Sequence, residues 1–148
     1  MDQIRDRMME LSAKGYYCSQ ILLRLALEAQ GRENPDIIRA MAGLALGVGR
    51  GKGTCGSLAG GACVIALHAG KGRDDESASE LLWNMLGDLW TWFEDTMCPL
   101  YGGVRCEDIL ADGTPRTQRC GPIVAQTYAK AMEILLENGF DPTEGRGE

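Results

Sequence analysis

Leu82-Trp83-Asn84-Met85-Leu86-Gly87-Asp88-Leu89-Trp90-Thr91-Trp92-Phe93 is the stretch that decides the fold class. Leu82, Met85, Leu86, Leu89, Trp90 and Phe93 recur at intervals of three and four, the spacing that lines one face of a helix. The stripe continues to about Met97. Upstream, Asp74 to Ser79 supplies capping and acidic first-turn residues, so the pattern predicts a long helix opening there. Downstream, Pro99 and Gly102-Gly103 predict its end. The ordinary role of its aromatic residues is core, but Trp92 is offset from the stripe and points to a dimer face.

The remaining chain reads the same way. Leu and Ala together number 32 against 4 Val, which favours helices over strands. Ile4, Met8 and Leu11 predict a first helix closed at Gly15, and a second runs from near Cys18 to Gly31. Asn34-Pro35 reads as an N-cap with proline in the first helical position, opening a third helix with Ile37, Ile38, Met41 and Leu44 on one face. Residues 43–72 hold 10 of the 20 glycines, and Gly47 to Thr54 predicts a tight loop. Thr54 is then expected to cap a fourth, closely packing helix with Cys55 in its first turn. A short helix over Cys106 to Leu110 and a final one over Cys120 to Asn138, with Pro122 in its first turn, complete the pattern. The expectation is an all-α, single compact helical bundle of six or seven helices, with the Gly-rich loop before the central helix. Residues 1–140 form this domain and 141–148 a flexible C-terminal tail.

With 148 residues and ordinary apolar content, the chain has the size of one domain. Its net charge of −6 repels a phosphate backbone, which argues against nucleic acid. No apolar run reaches the roughly 20 residues of a membrane span, and Met1 to Arg7 lacks a secretory signal pattern, so a cytoplasmic protein without membrane insertion is expected. In a reducing compartment, six cysteines point to metal binding or redox chemistry rather than a disulfide framework.

Cys18, Cys55, Cys106 and Cys120 all fall in or beside the first turn of an expected helix. Amides and the positive helix end there should lower a thiol pKa, with Arg50, Lys52, Arg105 and Arg119 reinforcing the effect. Thiolate is both the nucleophile of disulfide exchange and the ligand of soft metals, so one arrangement serves two chemistries. Cys63 lies among Ala62, Val64 and Ile65, where a thiol simply packs, and the role of Cys98 before Pro99 stays open. No C-x-x-C occurs, so any site assembles from distant segments. The glycine loop lacks the Walker pattern, and the single histidine, His68, reads as core or surface rather than ligand.

These positions resemble the C-GCAxxG-C-C family of redox-active proteins. Tyr17-Cys18-Ser19-Gln20 resembles its first cysteine, Thr54-Cys55-Gly56-Ser57-Leu58-Ala59-Gly60-Gly61 its central motif, and Cys106-Glu107-Asp108 and Cys120-Gly121-Pro122 its last two. Thr54 and Gly56-Ser57 depart from the letters of the central motif while keeping its small residues. The resemblance implies a redox role or a bound prosthetic group, and an oxidoreductase or transporter as partner.

The leading expectation is therefore a redox-active protein that gathers Cys18, Cys55, Cys106 and Cys120 for thiol/disulfide chemistry or electron transfer, with Cys55 as attacking sulfur. Gly53, Thr54 and Gly56 would offer close backbone to a thiolate or cofactor. One alternative makes the same four cysteines ligands of an iron-sulfur cluster or another thiolate-bound metal. The other is a non-catalytic helical adaptor that forms a homodimer through its tryptophan-rich helix.

Overall fold

The computed structural model describes residues 2–146. Seven α-helices follow in order: α1 (Asp2–Ala13), α2 (Cys18–Ala29), α3 (Pro35–Met41), α4 (Gly56–Ala69), α5 (Leu82–Tyr101), α6 (Cys106–Ile109) and α7 (Arg116–Glu137). The all-α bundle expected from the sequence is what forms. Central α4 packs against α2, α5 and α7. Its Leu58, Val64 and Ile65 are fully enclosed, each worth about 1.5–3 kcal/mol of burial.

Small residues set how closely these helices approach. A Cβ on Gly60 would lie 3.0 Å from the Ser19 Cα, and one on Gly61 would lie 2.8 Å from Thr127 Cγ2. Cys18 lies against Gly56, and Ser19 and Leu22 against Gly60, so α2 and α4 run in the same direction from one shared end. On the outside, Glu28 takes Arg7 Nη2 at 2.9 Å and Arg24 Nε at 3.2 Å, tying α1 to α2. Asn34 caps α3 as expected, its Oδ1 accepting the Ile37 amide at 3.2 Å.

Four boundaries differ from the sequence reading. Residue 74–81 chain is turn and loop, and α5 begins only at Leu82. It then passes through Pro99 in its last turn and closes at Gly102 with φ 80°. α7 begins at Arg116, four residues ahead of Cys120, so Pro122 lies beyond its first turn. Thr54 does not cap α4; Cys55 itself occupies the N-cap, because Thr54 pairs in an isolated antiparallel bridge with Arg105. Within α5, Leu82, Met85, Leu89, Phe93 and Met97 are buried, while Trp90 turns outward and Trp92 is half-buried edge-on to Phe93.

His68 is a satisfied core residue. Its Nδ1 lies 3.0 Å from the Val64 carbonyl, which only accepts, so Nε2 accepts from Gln30 Nε2 at 3.0 Å. Beyond α7, Arg146 Nε meets Glu76 Oε2 at 3.1 Å and its Nη2 donates to the Ser77 carbonyl. The last two positions of the expected tail lie outside the described residues.

Candidate functional site

The glycine loop and α6 bring distant cysteines to one end of the bundle. Gly47–Gly51 coils as a wide turn in which Leu46 (φ 55°) and Val48 (φ 61°) take left-handed conformations. The Gly53 amide donates to Gly47 O at 2.9 Å and closes the loop. Gly47 is required there: with φ at +59°, a Cβ would sit 2.7 Å from Gly53 O and 3.0 Å from the Cys106 Cβ. Beyond the closure, Thr54 bridges Arg105, the Cys55 amide donates to Val104 O at 2.8 Å, and the Cys106 amide donates to Gly53 O at 3.1 Å. Cys55 and Cys106 thus flank one short antiparallel pairing.

Each thiol also has a place in a helix. Cys18 is the first residue of α2, Cys106 the first of α6, and Cys55 the N-cap of α4. Cys120 is the exception to the first-turn expectation, sitting fifth in α7. Gly56 makes the closest junction: a Cβ there would fall 2.5 Å from Cys18 Sγ, so only glycine lets that sulfur lie against the start of α4. Gly53, Thr54 and Gly56 serve as loop closure, bridge and sulfur seat in this arrangement.

The four sulfurs share one electrostatic environment. Burial pushes the Cys18 thiol up to about 11, and negative charge on Cys55 or Cys106 would push the same way. Cys120 is raised to about 12 by burial, then by Cys18, Cys55 and Cys106. Burial also raises Cys106, with Cys55 next, and raises Cys55. The sequence argument expected lowered values. Backbone amides do act, those of Ser57 and Leu58 at the start of α4 on Cys55, and those of Ser19 in α2 and Leu46 in the glycine loop on Cys18, but the loss of water outweighs them. Cys63, half-buried in α4, is raised by burial alone, and Cys98 sits in the last turn of α5.

Three of the four cations picked out by sequence adjacency are held in ion pairs with carboxylates. Arg105 pairs with Glu107 and Asp108, Lys52 with Glu107, and Arg119 with Asp112. Arg116, which opens α7, acts on two of the thiols. Its guanidinium stacks on Tyr17 at 4.8 Å, and its charge favours ionisation of both Cys106 and Cys120. Sequence reasoning missed it because the helix start was placed too late; with α7 beginning at Arg116, the i, i+4 spacing to Cys120 would have put both on one face.

Ser57 was missed as well. Among the described residues its Oγ is the one buried side-chain oxygen or nitrogen without a hydrogen-bond partner, although it would assist ionisation of Cys55 two residues earlier. Other buried hydroxyls are satisfied: Ser19 donates to Met41 O at 2.8 Å and Thr127 to Ile123 O at 2.7 Å.

All six cysteines are free thiols. Among the described residues no three His, Cys, Asp or Glu side chains converge on a common metal position. The four thiolate donors would suit a soft metal chemically, but among the described residues they do not form a ligand set in this arrangement. No helix among the described residues is long and apolar enough to cross a membrane.

Comparison with known proteins agrees with the cysteine geometry. No curated protein and no solved structure matches the chain. Residues 16–134, which include all four clustered cysteines, match the family described as "Putative redox-active protein (C_GCAxxG_C_C)". The chain belongs to this family of redox-active proteins.

Proposed function

We propose that the chain is a thiol–disulfide redox protein in which Cys106 receives the substrate disulfide and Cys55 resolves it. Cys18 and Cys120 form the second dithiol. The observation that carries this reading is the pairing across the Thr54–Arg105 bridge, whose two flanking hydrogen bonds are donated by the Cys55 and Cys106 amides, so that the two cysteines sit diagonally across it. Cys55 is the attacking sulfur expected from the sequence, but it is only 5% exposed. Cys106 is half-buried and has Arg116 to favour its thiolate, so first attack falls to it.

In the forward direction the Cys106 thiolate attacks one sulfur of the substrate, forming a mixed disulfide and releasing the other half as a thiolate that takes up a proton. The Cys55 thiolate then attacks Cys106 Sγ, forming the protein disulfide and releasing the second half. The substrate disulfide gains two electrons and two protons, and the Cys55–Cys106 pair loses them. A reducing compartment such as the cytoplasm, and a partner oxidoreductase or transporter that exchanges electrons with this pair, belong to the same proposal.

The test is reaction of the reduced protein with hydroxyethyl disulfide, followed by disulfide mapping and by metal analysis of protein purified without oxygen. A Cys55–Cys106 disulfide, with exchange abolished in Cys106→Ser, is expected. Undiminished exchange in Cys106→Ser would overturn the assignment. Stoichiometric iron or zinc lost on Cys55→Ser would replace thiol exchange by a metal centre.

A further inference from the structure

The excess of acidic over basic residues in this protein comes from one segment. Between Arg73 and Arg105 there is no Lys, Arg or His, yet seven Asp and Glu fall there, leaving 15 basic against 14 acidic residues in the rest of the chain. The same segment contains all three tryptophans. Most of it is α5, whose core side is used by Leu82, Met85, Leu89, Phe93 and Met97.

Among the described residues, the other side of α5 is exposed. Trp83 is 74% exposed and Trp90 42%. With Gly87 and Glu94 they follow the i, i+4, i+7, i+11 progression that makes one stripe along a helix, and all four are exposed. A Cβ on Gly87 would meet nothing within 4 Å, so a gap lies between the two indoles. Seven residues separate them, about 10 Å along the axis. Asp88 and Asp95 lie beside the stripe.

We propose that this face of α5 docks a basic protein segment, with a Lys or Arg side chain entering the gap at Gly87 between Trp83 and Trp90. Indole faces attract a cation, and the surrounding carboxylates attract the rest of a basic surface. Charge argues against a second copy, which would set one acidic face on another. Area argues the same way: two indoles offer at most about 500 Å², below the roughly 800 Å² per partner of a stable interface. The complex is therefore transient and salt-sensitive. Trp92, the residue expected to mark a dimer face, is half-buried and takes no part. This docking face stands independently of the thiol chemistry.

The probes are two synthetic amphipathic helical peptides with the same leucine pattern, one carrying Lys and Arg and the other Glu. Binding to the full-length chain is followed by tryptophan fluorescence, and the chain alone by sedimentation velocity. The cationic peptide is expected to bind one to one and to weaken about tenfold or more in Trp83→Ala/Trp90→Ala and between 0.05 and 0.5 M salt. Asp88→Lys/Glu94→Lys, which keeps both indoles, should abolish it. Equal binding of the two peptides, or indifference to both double variants, would overturn the proposal. So would a dimer of the chain that dissociates in Trp83→Ala/Trp90→Ala, which would identify a second copy as the occupant.

Discussion

Replacing Gly56 by Ala tests whether the Cys18 sulfur depends on a bare backbone at the start of α4. The new methyl would lie 2.5 Å from Cys18 Sγ, 3.1 Å from Leu44 O and 3.4 Å from the Ala45 Cα. Ordinary carbon contacts begin near 3.5 Å, so the sulfur must retreat by about 1 Å. Retreat means either a new Cys18 rotamer or a wider spacing between α2 and α4, and widening loosens the close packing of Gly60 on Ser19, where an added Cβ would lie 3.0 Å from the Ser19 Cα. Overpacking of this kind costs about 1–3 kcal/mol, while the better helix propensity of Ala returns at most about 1. A net loss near 2 kcal/mol corresponds to a melting temperature lower by about 4–8 °C. The assay is thermal unfolding of the reduced protein, together with the alkylation rate of Cys18 at fixed pH, which should rise as the sulfur leaves its seat. Cys18→Ala should remove the penalty, so a double-mutant cycle with Gly56→Ala should show coupling of about 1 kcal/mol or more. Gly87→Ala is the control, since nothing lies within 4 Å of it; it should stabilise by about 0.5–1 kcal/mol. A Gly56→Ala protein as stable as the parent, with unchanged Cys18 reactivity, would refute the reasoning.

Three further outcomes follow from the site. Because the Cys18 thiol titrates near 11 when folded rather than 9.0, the folded state holds its proton longer, so its contribution is intact below pH 9 and lost as pH rises towards 11. The loss is about 2.7 kcal/mol at 1.36 kcal/mol per pH unit; urea midpoints should fall over this range, and fall less in Cys18→Ser. Ser57→Ala deletes a buried hydroxyl without a partner and should stabilise the reduced protein by about 1 kcal/mol in urea unfolding. Alkylation of Cys55 at fixed pH should slow in the same variant, and an unchanged rate would separate Ser57 from the thiol. Val48→Gly relieves a β-branched residue at φ 61°; about 1–3 kcal/mol of strain less about 0.5–1 for added chain entropy leaves a melting temperature a few degrees higher.

Much of this molecule was legible because helices are local. The apolar spacing of Leu82, Met85, Leu89 and Phe93 needs no partner to be read, and Asn34-Pro35 marks a helix start through its own side chain and fixed φ. The boundaries that failed depend on remote contacts. Thr54 looks like a cap until Arg105 takes it into a bridge, and nothing local fixes the start of α7 ahead of Cys120. Trp90 fits the apolar stripe at helical spacing, but its position at the edge of that stripe leaves it facing solvent.

The sequence by itself determined the helical class, the four cysteines and the concentration of acid around the tryptophans, since each is a matter of residue type and spacing. Only the tertiary structure decided that Cys18 rests on Gly56, that Arg116 acts on both Cys106 and Cys120, and that burial raises pKa values which helix ends alone would lower. The physical reason is range. Periodicity and capping act within a few residues, whereas desolvation and charge depend on which segments, far apart in the chain, end up within a few ångströms of each other.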